Sequence, residues 1–285
     1  NVPLTFEFAA RAQGSKETEV RARVGGILLK RNYVEGAEVS EGQVLFEIDP
    51  DTYRVALNQA KAKLAQTEAE LKNAETQLAR TEKLFKQGYA SEKSRDDAVA
   101  NADSLKAALQ SAQAAVDAAQ LNLDYTQVKA PISGLTSMEV QSEGSLISTS
   151  GEGGLLTHIT QLNPIYVMFS MSETEMMKMA EMIEKGYLAQ PQRKDQIKAK
   201  LNAGDGWQYP QAGDIDFVNP TVDQETGTIK LRAVFDNPKG RIRPGQFLRL
   251  SVEGVVRADA LVVPQTAVMQ GANGSYVYRI NAQDK

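Results

Sequence analysis

The sequence predicts a mostly β protein interrupted by a long antiparallel α-helical coiled-coil hairpin, the whole elongated and divided into several domains. Three observations predict it: a heptad seam that runs out and back across residues 51–124, a β pattern on one side of that seam repeated on the other, and short apolar strands punctuated by glycine turns elsewhere.

The seam comes first. Leu57, Leu64, Leu71, Leu78 and Phe85 recur every seventh residue, and Ala60, Thr67, Ala74 and Thr81 follow the first four by three places. Bulky a and small d positions of this kind make a coiled-coil face. Ala98, Ala102, Leu105, Leu109, Ala112, Val116, Ala119 and Leu123 step by four and three, so the same face returns. Between the arms lies Gln87-Gly88-Tyr89-Ala90-Ser91, where Gly88 can supply a left-handed helix stop and Ser91 an N-cap. Neither arm holds an internal Pro or Gly, and some 35 residues per arm reach roughly 50 Å at 1.5 Å per residue. A hairpin of that length predicts a mechanical reach element.

Residues 19–48 read as short strands: Val20 to Val24, Ile27 to Leu29, Val39, and Val44 to Ile48, with turns at Gly25-Gly26, Gly36 and Gly42. An offset of 108 positions sets Ala22 against Ala130, Val24 against Ile132, Gly26 against Gly134, Ile27 against Leu135, Gly36 against Gly144 and Val39 against Ile147. Three residues are then added, and Val44-Leu45-Phe46-Glu47-Ile48 matches Leu155-Leu156-Thr157-His158-Ile159. Neither half can bury its apolar face alone, so the two are expected to interlock into one domain split by the hairpin.

Further on, Asn163-Pro164 is expected to break the chain before a strand at Ile165–Met171. Ser172-Glu173-Thr174-Glu175 reads as a capping box opening a helix from Glu173 to about Lys185, stopped by Gly186. Strands are expected at Gln196–Leu201, Asp214–Val218, Thr228–Phe235 and Gln246–Val252, with turns at Gly204-Asp205-Gly206, Asn237-Pro238-Lys239-Gly240 and Pro244-Gly245. Together these predict an antiparallel β-barrel with one helix as plug or lid. Two more strands are expected at Leu261–Val263 and Ser275–Ile280, with Asn273-Gly274 as a hairpin turn, and a short N-terminal strand at Leu4–Phe8 is expected to join them.

Composition excludes several functions. A net charge of −4, 24% charged residues and 6% aromatics do not describe a nucleic-acid binder. With no cysteine, the 285-residue chain has no thiol catalysis, cysteine-ligated zinc or disulfide, which suits the cytoplasm or a bacterial periplasm. No apolar run approaches a membrane span. The chain starts at Asn1 without a Met and stops at Lys285 after a strand-like run, so both ends read as cut and an anchoring segment is expected to be missing. His158, the only histidine, reads as structural, and no His, Asp or Glu cluster has metal-ligand spacing. Asp49 and Asp51 suit the start of the first helix, Asp96 and Asp97 the first turns of the second, and Gly151–Gly154 reads as a turn. Met168, Met171, Met176, Met177, Met179 and Met182 cluster. Core packing is the favoured reading, with Met176, Met179, Ala180 and Ile183 facing the barrel, and ligand contact or Cu(I) are the alternatives. No catalytic, cofactor or metal site is predicted, and the chain does not read as an enzyme.

The motifs Gly26-Ile27-Leu28, Glu35-Gly36, Leu45 to Pro50, Ala130-Pro131-Ile132-Ser133-Gly134, Asn163-Pro164-Ile165-Tyr166-Val167, Thr221-Val222-Asp223 with Thr226-Gly227, Leu231-Arg232-Ala233, Arg243-Pro244-Gly245-Gln246-Phe247 and Val263-Pro264, in this order, resemble the periplasmic adaptor (membrane fusion) proteins of tripartite efflux pumps. Those of the resistance-nodulation-division (RND) multidrug transporters are the nearest in pattern. The resemblance implies an incomplete membrane-proximal β domain (1–16 and 257–285), a lipoyl-like barrel-sandwich hybrid in two halves (17–50 and 125–160), the α-hairpin (51–124) and a β-barrel (161–256). It implies no cofactor. It also implies a ring, a hexamer or one built through dimers, that joins an inner-membrane RND drug/proton antiporter to an outer-membrane channel. The location implied is the periplasm, attached to the inner membrane through an N-terminal segment absent here. At the hairpin tip it implies channel contacts by Arg80, Leu84 and Ser91, whose spacing matches the family's. Two alternatives stand beside it: an adaptor of an ABC-type exporter, and a lipoyl or biotin carrier, which lacks support because the coiled coil replaces the tight hairpin between the halves that would present a modifiable Lys.

Overall fold

The computed structural model describes residues 2–189, 197–203, 207–257, 260, 262–272 and 274–278. The chain divides into two compact units, one of residues 16–161 and one of residues 1–15 with 162–285.

In the first unit, β2 (Gly26–Arg31), β3 (Glu38–Val39) and β4 (Val44–Ile48) precede α1 (Asp51–Lys86) and α2 (Glu92–Asp124). β5 (Gln127–Lys129), β6 (Gly134–Thr136), β7 (Leu146–Ile147) and the first part of β8 (Leu155–Ser172) follow. The two halves exchange strands. Gly26 pairs with Ile147 and Ile27 with Leu146, while Val39 pairs with Gly134 and Glu38 with Leu135. These are the same contacts under the 108-residue offset. Side chains obey the relation too: the Arg31 N–H donates to the Glu143 carboxylate at 2.8 Å, and the Glu139 N–H donates to that of Glu35 at 2.6 Å. A single core results, with Leu28, Leu45, Phe46, Ile48, Leu156 and Ile159 all buried in it. The halves therefore interlock, because each supplies the strand that covers the other's apolar face.

The glycines of the repeat have distinct reasons. Gly36 and Gly144 sit at φ +73° and +87° in open space, where only the turn demands them. Gly134 instead allows close approach: an added Cβ would lie 2.6 Å from the Thr160 carbonyl oxygen.

The hairpin helices bury the expected seam. Leu57, Thr67, Leu71, Ala74 and Thr81 of α1 and Ala102, Ala112 and Val116 of α2 are buried, and the other seam residues are half-buried. Small residues at the d positions let the axes approach, and the outer faces are polar. At the base, Tyr53 donates to the Gly25 carbonyl at 2.7 Å and Arg23 lies over the Tyr125 ring at 5.0 Å. Pro50 occupies the N-cap of α1, and the Asp49 carboxylate accepts from the Asp51 N–H at 3.0 Å. Gly151–Gly154 is a 3₁₀ turn. Among the described residues no helix is long and apolar enough to cross a membrane.

The short β9 (Leu188–Ala189) and β11 (Trp207–Gln208) pair with β14 and β10, and the second unit is built on strands in the order β1 (Val2–Arg21), β14 (Phe247–Arg257), β10 (Lys198–Ala203), β12 (Gly213–Asp223), β13 (Thr228–Phe235) and β8. β8 also pairs with β1, which closes the six into a barrel. Ile165, Val167, Phe169, Leu201, Ala233, Phe235, Ile242 and Leu250 form its core. α3 (Glu173–Glu184) opens on the expected capping box at Ser172 and Glu175 and closes at Gly186, φ +75°.

Several expectations are corrected here. The N-terminal strand is not a short partner of the C-terminal segment: β1 spans 20 residues, and Val2 to Arg11 pair with Arg257 to Phe247 of β14. Its alternation continues inward through Ala10, Ala12 and Gly14, residues too small to register in a hydropathy pattern. Pro164 does not end a strand. β8 runs through a cis Asn163–Pro164 bond, and Pro164 falls between the ladder of β8 with β6 at Ile159–Thr160 and that with β13 at Ile165–Ser172. β12 extends past Val218 to Asp223, with register shifts that take up Pro220. Ala180 is exposed and does not face the barrel. No strand forms at 262–264. Beyond it β15 (Met269–Gly271) pairs with β16 (Gly274–Tyr276), a strand that ends before Val277. Gln196, the turn at 204–206, Leu261, Asn273 and Ile280 lie outside the described residues.

Candidate functional site

The site named by the sequence is the hairpin tip. α1 ends in a Schellman motif: the Tyr89 N–H donates to the Leu84 carbonyl at 2.9 Å and the Gly88 N–H to that of Phe85 at 3.0 Å, with Gly88 at φ +82°. Two residues on, the Ser91 hydroxyl caps α2 by accepting from the Ser94 N–H at 3.1 Å. The turn is thus capped at both helix ends, and its side chains stand on a stiff frame.

Phe85 closes the seam, and the Arg95 guanidinium lies over its ring at 4.8 Å. Arg95 is held there by Asp96 at 2.7 Å and Glu92 at 3.6 Å; the hydrogen bond to Asp96, first, and that charge raise its pKa. The last apolar residue of the seam is therefore covered by α2.

Outside the seam the picture differs. Arg80 and Leu84 are four apart and share one stripe of α1. Leu84 is 39% exposed beside a seam that is buried. Arg80 is exposed and has no ion-pair partner among the described residues, leaving its five N–H donors available. Ser91 is first of all an N-cap. Its hydroxyl also lies 2.9 Å from the Ser94 hydroxyl, and that contact uses one proton of the two, so one O–H of the pair remains to donate outward. All three residues fall on the tip end of the hairpin, with Arg80 about two turns, or roughly 10 Å, before the α1 stop.

Sequence reasoning passed over Tyr89, which is 81% exposed and the most prominent apolar surface of the tip. The signal was available, since an aromatic ring in a five-residue turn between two helix ends has no seam to enter. The methionines do not form one thioether group. Met171 is buried, Met176 and Met179 pack against the barrel core, and Met177 and Met182 are exposed. His158 is half-buried, and its backbone carbonyl accepts from the Ser137 N–H at 2.9 Å.

A split, strand-exchanged β module that extrudes a long helical hairpin, followed by a closed β-barrel, defines a membrane fusion protein, the adaptor class of efflux systems. Residues 16–158 match the family described as RND MFP, barrel-sandwich hybrid domain, and residues 164–255 match RND MFPs, beta-barrel domain. The chain belongs to this family of RND membrane fusion proteins. It is 46% identical over 282 residues to the efflux pump periplasmic linker BepD of Brucella suis biovar 1, covering 99% of this chain and 70% of that protein. It is 37% identical over 283 residues to the multidrug efflux pump subunit AcrA of Escherichia coli K12, with the same coverage. The fold is also that of MacA from Actinobacillus actinomycetemcomitans, with TM-score 0.71 and 20% identity over 98% of this chain and 89% of that one.

Proposed function

We propose that the chain is the periplasmic adaptor of a tripartite multidrug efflux pump, joining an inner-membrane RND drug/proton antiporter to an outer-membrane channel without catalysing a reaction itself. The observation that carries this reading is the tip. A hairpin that buries its apolar seam along its length ends with Leu84 and Tyr89 exposed and Arg80 without an ion-pair partner among the described residues, on a turn capped at both helix ends. A spacer would end in charge; an apolar tip with an adjacent free guanidinium suits a docked partner. Arg80, Leu84 and Ser91 are the residues we assign to the channel. Drug and proton chemistry belong to the antiporter, and the adaptor seals the conduit and transmits its motion.

The same reading divides the chain into the hairpin (51–124), the two-part lipoyl-like domain, the β-barrel and part of a membrane-proximal domain toward the C-terminus. It further has the adaptor close into a ring, a hexamer, around the conduit, attached to the inner membrane. Site-specific crosslinking from the tip to the channel, with drug resistance measured in cells lacking their own adaptor, tests the assignment. Arg80→Glu combined with Ser91→Trp is expected to abolish both while the purified protein keeps its helical signal. Unchanged crosslinking and resistance would overturn it.

A further inference from the structure

The barrel unit contains a cavity of about 550 Å³ that the adaptor role does not use. Phe8, Phe169, Met171, Met176, Met179 and Phe217 line much of it, with α3 supplying Met176 and Met179. The cavity falls in the range of small-molecule sites, which are concave and mostly apolar.

The lining is arranged as such a site. Phe8 and Phe169 form one wall, their ring centroids 5.3 Å apart. At the mouth, the register of β12 slips between Ile215 and Phe217, and a bulge of this kind re-aims side chains. Phe217 and Val218 are left 42% and 48% exposed there, an apolar rim open to solvent. α3 is pinned at one end by its capping box and at the other by Gly186, whose Schellman pattern has the Tyr187 N–H donating to the Met182 carbonyl at 2.9 Å. Met176 and Met179 thus present flexible, polarisable thioethers from a fixed element, suited to rings of varied shape.

Charge decides the ligand class. Among the described lining residues Asp216 alone is ionisable, and Arg232 clasps it with Nε at 3.0 Å from Oδ1 and Nη2 at 2.7 Å from Oδ2. That guanidinium also lies over the Tyr166 ring at 4.3 Å and the Phe217 ring at 5.4 Å. No uncompensated charge remains to receive an ionised ligand, whose burial would then go unrepaid. A peptide strand has no entry either, since β1 and β8 close the barrel. We propose that the barrel unit binds a neutral, lipophilic aromatic molecule of drug size in this cavity, between Met176 and Met179 of α3 and the Phe8–Phe169 wall.

The proposal stands apart from the assignment of the tip, and its test does not involve the channel. The full chain, labelled with ¹³C at the methionine methyls, is titrated with N-phenyl-1-naphthylamine. A parallel titration uses 8-anilinonaphthalene-1-sulfonate, which shares its aromatic body and adds a negative charge. The neutral probe is expected to give a saturable, one-site fluorescence gain, with the sulfonate at least tenfold weaker. Methyl shifts are expected at Met171, Met176 and Met179 and not at Met138, which lies in the other unit. Met176→Glu is expected to weaken binding more than tenfold and Phe217→Gln several-fold. α3 has no fully buried residue and Phe217 of β12 is 42% exposed, so both variants should melt as the parent does, and Phe217→Gln decides if Met176→Glu does not. Non-saturable binding, equal affinity for the sulfonate, shifts led by Met138, or full binding by both folded variants would overturn the proposal.

Discussion

The Arg95 guanidinium lies 4.8 Å from the centre of the Phe85 ring, so the first turn of α2 covers the last seam residue of α1. Removing that cover should loosen the tip alone. Arg95→Ala is expected to speed amide hydrogen exchange across residues 84–95 while leaving the rest of the hairpin protected. Protection unchanged at the tip would show that the contact contributes nothing.

Gly88 has φ +82° with nothing near its missing side chain, so a substitution there meets conformational cost without a clash. Gly88→Ala is expected to destabilise the hairpin by about 1 kcal/mol in urea melts followed at 222 nm. Gly88→Asn should cost less, because Asn enters the left-handed region more readily.

Gly134 offers the opposite case. An added Cβ would lie 2.6 Å from the oxygen and 2.8 Å from the carbon of the Thr160 carbonyl, both backbone atoms that cannot swing aside. Gly134→Ala should destabilise the split β module by about 1–3 kcal/mol, while Gly36→Asn, at a turn in open space, should be nearly silent. Chemical denaturation of the two variants separates close approach from turn geometry.

Leu84 and Leu71 belong to one helix and should answer differently. Leu84→Gln, at an exposed position, should leave stability within about 0.5 kcal/mol and cut channel crosslinking. Leu71→Ala, in the buried seam, should cost about 2 kcal/mol or more. A Leu84→Gln variant that crosslinks fully would remove Leu84 from the contact.

Asp223 accepts from the backbone of Thr226 and also meets Lys230 and the Glu225 N–H, which together hold its pKa below the ordinary carboxylate range. A depressed folded pKa contributes stability above the unfolded value, and that contribution is lost as the pH falls through the folded one. The Thr226 amide resonance should therefore shift only under acid conditions below those that titrate free carboxylates. Asp223→Asn should abolish that step.

The sequence by itself determined the hairpin, its stop at Gly88, its restart at Ser91, and the existence of a duplicated module around it. Each of these is written in local spacing: a heptad repeated along both arms, a glycine between two helix ends, and a pattern that recurs after 108 residues. That Arg80 and Leu84 stand just off the seam follows from the same spacing, while their assignment with Ser91 to a partner rests on the family resemblance. Tertiary structure alone decided that β1 lies beside β14, that β8 continues through Pro164, and that Phe8, Phe169 and the α3 methionines surround a cavity. Partners such as Val2 and Arg257 are brought together only when the barrel closes, and small inward residues such as Ala10 and Ala12 carry too little hydropathy to announce it. Periodicity reports which face of an element is apolar, and closure decides what that face meets.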